Sequence, residues 1–289
     1  VQKDLFEPIA ETIKTIDIND AQYSQLESIS NFFKIAKAQY IDKRLAVADA
    51  ILYARHAKER NSYINKNKSE SKDQGSGMAD SEADAIINWL STLNTTEQGK
   101  IARIENITRD IVTNTNQQRL ESGLIKPELL DSNFKSKVYD NYVPLRGDIE
   151  SDVETDEDLM GKPRMTTNLF GAAGKEDRSA TGQTNYAENI IASLMAQNQR
   201  SIDRGERNKV GRSFADLLRG QEEQADGSFA INDALAEDMG KIAEIVTDTN
   251  GLLPENILTI KENGVEVKVN FKDKRIGRAL KGHLTPESV

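Results

Sequence analysis

The sequence predicts a mainly α-helical fold: long helices in an extended bundle, a loop-rich crossing and a small C-terminal β-hairpin. Three observations carry this. Residues 1 to 74 hold no glycine. No proline lies between Pro8 and Pro127 or between Pro163 and Pro254, so over two long intervals nothing removes a backbone donor and forces a kink. The one strong β pattern is the alternating series Val265, Val267, Val269, Phe271, placed directly after Asn263-Gly264.

Leu5, Ile9, Ile13 and Ile16 step by four, four and three, which puts them on one stripe of a short amphipathic helix. Asp17-Ile18-Asn19-Asp20 is an N-cap cluster. From Tyr23 through Leu26, Ile29, Phe33, Ala36, Tyr40, Leu45, Ala48 and Leu52 the spacing stays near-helical into Tyr53-Ala54-Arg55-His56. The simplest expectation is one helix of over thirty residues, roughly 50 Å long at about 1.5 Å per residue, which one compact domain does not cover. Six of the sixteen aromatic residues, Tyr23, Phe32, Phe33, Tyr40, Tyr53 and Tyr63, lie on this stretch, so its apolar surface is expected to pack in a bundle or against a second copy.

Lys66 to Asp80, with Gly75-Ser76-Gly77, is a polar break. Ser81 with Asp84 resembles a capping box opening a helix through Trp89 and Leu90, and Thr95 with Gln98 is a second cap. Ile101, Ile104, Ile107, Ile111 and Leu120 mark a further helix that ends near Gly123 and Pro127. Asp131 to Thr181 holds Pro144, Pro163 and several glycines, and seven of the eleven residues from Asp148 to Asp158 are acidic. It reads as an extended crossing with a solvated acidic loop. Helical spacing returns from Thr184 to Arg219, where Gly205 and Gly211 weaken the helix without ending it. Ile257 to Glu262 and Val265 to Phe271 then form the hairpin, with one face buried, covered by a short helix from Lys274 to Lys281. The organisation is a long-helix region over 1–130, the acidic crossing over 131–183, a helical region with a basic stripe over 184–250, and the hairpin with its helix over 251–289.

Composition removes several function classes. At 289 residues and 37% hydrophobic, with a mean hydropathy of −0.61, the chain has enough apolar surface for a core and no surplus. No apolar run approaches the roughly 20 residues of a bilayer helix. The start, Val1-Gln2-Lys3-Asp4-Leu5, carries neither an initiator methionine nor a signal-peptide core, and reads as an excerpt of something longer. Cysteine is absent, which excludes disulfides, thiolate metal sites and thiol catalysis within these residues. A net charge of −9 argues against a surface that coats nucleic acid everywhere and leaves room for a local basic stripe.

That stripe is Arg200, Arg204, Arg207, Lys209 and Arg212, with Arg219 beyond, against Asp203, Glu206 and Asp216. Arg200, Arg204 and Arg207 share a helix face, suited either to phosphate contact or to ion pairing with neighbouring helices or the acidic run. No catalytic or metal site emerges. The two histidines, His56 and His283, have no nucleophile pattern beside them, and His56 reads as a helix-surface residue. Gly171 to Glu176 fails as a phosphate loop, because Leu169 and Glu176 stand where glycine and a hydroxyl are required. Gly75-Ser76-Gly77 does not follow a strand and lacks a third glycine. Asp152, Glu154 and Asp156 alternate like calcium ligands, but Glu157 occupies the position where such a loop turns on glycine. Among 47 Asp and Glu residues, no spacing selects a hydrolytic pair.

Three stretches belong together: Leu52 to Asn61 (Leu-Tyr-Ala-Arg-His-Ala-Lys-Glu-Arg-Asn), Gly75-Ser76-Gly77-Met78, and Asn141-Tyr142-Val143-Pro144-Leu145-Arg146-Gly147. With Arg200 through Gly211 and the closing Val265 to Leu280, their order and spacing over most of the chain resemble the middle portion of the very large polyvalent or internal virion proteins of tailed phages. In one place the chain departs from that pattern: the family's Pro-Leu-x-Arg-Phe-Gly is shortened here to Pro144-Leu145-Arg146-Gly147, so a role tied to the phenylalanine is missing.

The resemblance implies a non-catalytic segment, without cofactor or metal, packaged in the capsid interior and ejected with the genome to help build a conduit through the host envelope or periplasm. Implied partners are further copies of the chain, other internal core, portal or tail proteins, non-specifically contacted DNA and the host envelope. The competing expectations are an enzyme module, either a peptidoglycan hydrolase or a nucleic-acid-modifying unit, and a scaffold that stays inside the capsid.

Overall fold

A computed structural model describes residues 2–67, 75–129, 139–145, 185–187, 189–223, 228–249, 251–253 and 256–277. It is mainly helical, with small antiparallel sheets toward the C-terminus. The helices are α1 (Gln2–Lys14), α2 (Asp20–Ile29), α3 (Asn31–Gln39), α4 (Lys43–Asn67), α5 (Asp80–Thr92), α6 (Thr95–Glu121), the single turn α7 (Pro127–Leu129), α8 (Ile190–Leu218) and α9 (Asp233–Gly240). The strands are β1 (Gln221–Glu223), β2 (Phe229–Ile231), β3 (Ala243–Val246), β4 (Ile257–Glu262) and β5 (Val265–Phe271). The acidic run and most of the 131–183 crossing, the Gly171 to Glu176 segment, His283 and the end of the expected last helix lie outside the described residues; 274–277 is helical.

The chain divides into two units. The first comprises Val1–Asn116, Leu130–Asp156 and Ser179–Gln199; the second comprises Gln117–Leu129, Glu157–Arg178 and Arg200–Val289.

In the first unit, the expected single helix over residues 20 to 56 is three. Asn19 caps α2 through a full capping box with Gln22. The helix then stops at Ser30, whose backbone is extended (φ −131, ψ 114) and whose hydroxyl accepts the Phe33 amide to start α3. A second break follows at Tyr40 (φ −88, ψ 141). An absence of glycine and proline permits a long helix but does not enforce one; here side-chain bonds to free amides outcompete continuation. The aromatics are thereby turned inward. Phe32, Phe33 and Tyr53 are buried, Tyr23 and Tyr40 pack against the same core, and Phe32, Tyr53 and Tyr186 meet edge to face. These aromatics pack within the unit, while Ile35 and Ile41 of the same stretch stay exposed.

Two expected caps are also relocated. α5 begins after Ala79 with no side-chain cap, and Asp84 instead pairs with Lys58. α6 is capped by Asn94, whose side-chain oxygen accepts the Glu97 amide, while Gln98 reaches back to the carbonyl of Leu93. The end of α6 is as expected: Gly123 is left-handed (φ +74), and the Leu124 amide donates back to Arg119, closing the last turn.

In the second unit, β4 and β5 pair in the expected register, Glu262 opposite Val265, across Asn263 (φ 49) and Gly264 (φ 76). The buried face is shorter than expected: Val269 and Phe271 are fully buried, Val267 is half-buried and Val265 is exposed. β3 adds to the other side of β5, giving the order β3-β5-β4, and β1 pairs with β2; neither was foreseen. The core of this sheet is Ala215 of α8 with Ala243, Leu258, Ile260, Val269 and Phe271. Gly205 and Gly211 leave α8 unbroken and permit close approach, since a Cβ at Gly211 would stand 2.4 Å from Ile260 and one at Gly205 would stand 2.9 Å from Ser122.

Candidate functional site

The three stretches that carry the resemblance meet on one element, α4, within the first unit. Tyr53 donates its hydroxyl proton to the Ser76 carbonyl (2.6 Å) and accepts the Ala187 amide (3.1 Å). About two turns further along, Asn61 accepts the Ser76 amide (2.6 Å) and donates to the Met78 carbonyl (2.9 Å) and the Asp80 carboxylate (2.8 Å). The glycines of this loop are dictated by those contacts. A Cβ on Gly75 would lie 2.3 Å from Asn61 Oδ1, and Gly77, at φ +92, would drive one to 2.0 Å from the Asn185 carbonyl.

Glu59, between Tyr53 and Asn61, holds the third stretch. Its carboxylate accepts the amides of Asp140 (3.2 Å) and Asn141 (3.1 Å) and the Asn141 side chain (2.8 Å). Val143 and Leu145 are buried behind them. Burial acts to raise the Glu59 carboxyl, but its contact with His56 and the bonds from Asn141 outweigh that and hold it below the usual carboxylate range.

His56 is not a surface residue. It is fully buried, its ring centroid 4.9 Å from that of Tyr139 and 5.4 Å from that of Tyr142, with Glu59 Oε2 at 3.5 Å from Nδ1. Among the described residues neither ring nitrogen completes a hydrogen bond. Burial pushes the imidazole below its ordinary pKa, and Arg60 adds to the push while Glu59 opposes it. Its place on α4 fits either face by spacing alone; residues 139–145 return to cover it with Tyr139 and Tyr142.

Two more carboxylates act in the same way as Glu59. Asp49 is buried and accepts the amides of Ile190 (2.9 Å) and Ile191 (3.0 Å), the first free donors of α8, together with the Tyr40 hydroxyl (2.7 Å). Burial pushes its pKa up to about 6 against the pull of those three bonds. Glu82 accepts the Ser30 hydroxyl (2.9 Å), the Phe32 amide (3.0 Å) and the Tyr186 hydroxyl (2.6 Å). It also forms one wall of a cleft of about 450 Å³ with Asn31, Gly77, Ser81 and Tyr186. The cleft's one carboxylate is thus engaged by three donors, and the Tyr186 phenol is pushed far up, by burial first and then by its bond to Glu82. Among the described residues no group of histidine, aspartate and glutamate is arranged to hold a metal ion. No helix among them is long and apolar enough to cross a membrane.

In the second unit, α8 carries the basic stripe. Arg200 and Lys209 are exposed; Arg204, Arg207 and Arg212 are half-buried. Lys209 pairs with Glu206 (2.8 Å), and Arg212 lies over Gly123, where a Cβ would stand 2.8 Å from its Nη1. Arg219 makes a two-pronged pair with Glu262 of β4 (2.7 and 3.0 Å) and a bond to Asp216 (3.1 Å). The acidic run proposed as an alternative partner lies outside the described residues.

Sequence reasoning missed Asn208. It is fully buried on α8 and accepts the Lys261 amide (2.7 Å) while donating to the carbonyls of Lys261 (2.7 Å) and Ser122 (2.7 Å). Its carboxamide completes the outer edge of β4 as a neighbouring strand's peptide group would. A fully buried asparagine leaves no periodic signature. Its place between Arg207 and Lys209, ahead of Gly211, was the available signal.

Comparison with known proteins finds no match. No family model, curated protein or solved structure is similar to the chain.

Proposed function

We propose that the chain is a non-catalytic segment of a phage internal core or ejection protein, packaged in the capsid and ejected to help form a conduit for genome delivery through the host envelope. One observation supports the reading: three of the stretches on which the resemblance rests interlock around α4, where Tyr53, Glu59 and Asn61 are committed to backbone amides and carbonyls. Glu59, Asn61 and Tyr53 act there as braces. A segment that works by assembly needs such braces, whereas an enzyme module needs polar groups converging on an accessible centre.

In this reading the partners are further copies of the chain and other core, portal or tail proteins. The exposed Arg200 and Lys209, with Arg204, Arg207 and Arg212 on the same helix, make loose and salt-sensitive contacts to passing DNA. The test follows the chain through infection. Quantitative mass spectrometry of purified particles, and of host envelope fractions after adsorption, is expected to find it in the first and then in the second. A chain absent from particles overturns the reading, and one retained in emptied capsids points to a scaffold. Charge reversal of Arg200, Arg204 and Arg207 to glutamate is expected to slow delivery without reducing packaging; loss of packaging alone removes the DNA contact from the proposal.

A further inference from the structure

The site described above contains one group that the bracing does not use. His56 is fully buried with two ring nitrogens that find no hydrogen-bond partner among the described residues, an arrangement that costs free energy. What covers the ring is the 139–145 segment. Tyr139 and Tyr142 stand against it, and Tyr63, further along α4, holds Tyr139 from behind with ring centroids 5.8 Å apart. The same segment hangs from Glu59, whose Oε2 takes the Asn141 amide at 3.1 Å and faces His56 Nδ1 at 3.5 Å. One carboxylate oxygen is shared between the segment and the imidazole.

We propose that His56, Glu59 and the 139–145 segment form an acid-released latch, closed while the imidazole is neutral and opened when it takes a proton. The charged groups acting on His56 are Glu59 and Arg60, both from α4; from the segment it meets the phenols of Tyr139 and Tyr142. A neutral imidazole tolerates this apolar cover. An imidazolium does not: it needs an acceptor and water, Arg60 repels it, and its nearest acceptor is the Glu59 oxygen that holds Asn141. Drawing Glu59 toward Nδ1 takes that oxygen from the Asn141 amide. Linkage gives the same direction, because a cover that disfavours the charged form of His56 is itself disfavoured by protons.

The test is hydrogen exchange on the whole chain between pH 7.5 and 5, read as protection factors so that the intrinsic pH dependence of exchange drops out. Protection of the Asp140 and Asn141 amides is expected to fall about tenfold on acidification, the change that loss of one charge-assisted hydrogen bond produces. The chain has two histidines, so His283→Gln leaves His56 as the only imidazole resonance, and its midpoint by nuclear magnetic resonance is expected to coincide with the fall in protection. In His56→Gln the protection should stay level over the same range, and in Asp49→Asn the fall should persist. Protection that stays level in the unaltered chain overturns the latch, as does a fall that survives His56→Gln, a fall that vanishes in Asp49→Asn, or a His56 ring that does not titrate above pH 5. If His56→Gln does not fold, agreement or disagreement of the two midpoints in His283→Gln decides alone.

Discussion

The first unit fastens its irregular backbone mainly with carboxylates, beside the Asn61 carboxamide at residues 76–78, and the second fastens its sheet edge with a carboxamide. Asp49, Glu59, Glu82 and Glu97 each accept amides that no helix or strand would satisfy, at Ile190 and Ile191, Asp140 and Asn141, Phe32, and Asp17. Asn208 does the corresponding work at Lys261 and Ser122. A carboxylate accepts only, which suits clusters of free amides at chain ends and helix starts. An amide both donates and accepts, which suits a strand edge, where the two alternate. The choice has a consequence: a carboxylate clamp can take a proton, whereas a carboxamide cannot. The units also differ in reserve, since the second relies on a core of Ala215, Ala243, Leu258, Ile260, Val269 and Phe271, whereas the first buries aromatic and aliphatic side chains from α1 to α6.

That difference in reserve sets the largest expected effect. Phe271→Ala should destabilise the second unit by about 4 kcal/mol, the cost of truncating a fully buried aromatic, measured by denaturant unfolding followed at the hairpin amides. Asn208→Ala comes next at about 3 kcal/mol, because it strands a buried amide and two carbonyls at once. Asn208→Asp sharpens the contrast: a buried carboxylate facing the Ser122 and Lys261 carbonyls would have a raised pKa, so this variant should lose stability relative to the unaltered chain as pH rises.

For the first unit, Asp49→Asn gives the reciprocal result. The folded pKa of Asp49 is raised to about 6, so its contribution is present in full below its ordinary value and is lost as pH rises through about 6. The cost of Asp49→Asn should therefore shrink between pH 4 and 7, as read by the fluorescence of Trp89, the chain's one tryptophan. A cost that grows with pH would mean that the charged form is the better clamp. The smallest effect belongs to Val265→Ala, expected to stay within about 0.5 kcal/mol because the residue is exposed despite its place in the alternating series.

How much of this was legible follows the range of the interactions. The β4–β5 hairpin was readable to the residue, since Asn263-Gly264 and the alternation around it are local signals, and the end of α6 at Gly123 was readable for the same reason. The breaks at Ser30 and Tyr40 were not, because their partners are distant in sequence: Glu82 secures the Ser30 hydroxyl and the Phe32 amide, and the Tyr40 hydroxyl accepts the Asn189 amide. β3 escaped notice because Ala243-Glu244-Ile245-Val246 is short and becomes a strand only beside β5. In the candidate site the order of the three stretches was legible, but their meeting on α4 was not. Burial of His56 depends on residues more than eighty positions away, and no periodicity within α4 announces it.

The central claim is that the first unit's buried carboxylates are backbone clamps. Native-state hydrogen exchange at neutral pH tests it at Asp17, Phe32, Asp140, Asn141, Ile190 and Ile191, whose amides lie at helix starts or outside regular elements and have no helical acceptor. Clamped, they should exchange as slowly as amides in the interiors of α4 and α6. Exchange at the rate of frayed helix ends would show that the carboxylates do not hold them, and would return Asp49, Glu59 and Glu82 to candidacy for chemistry.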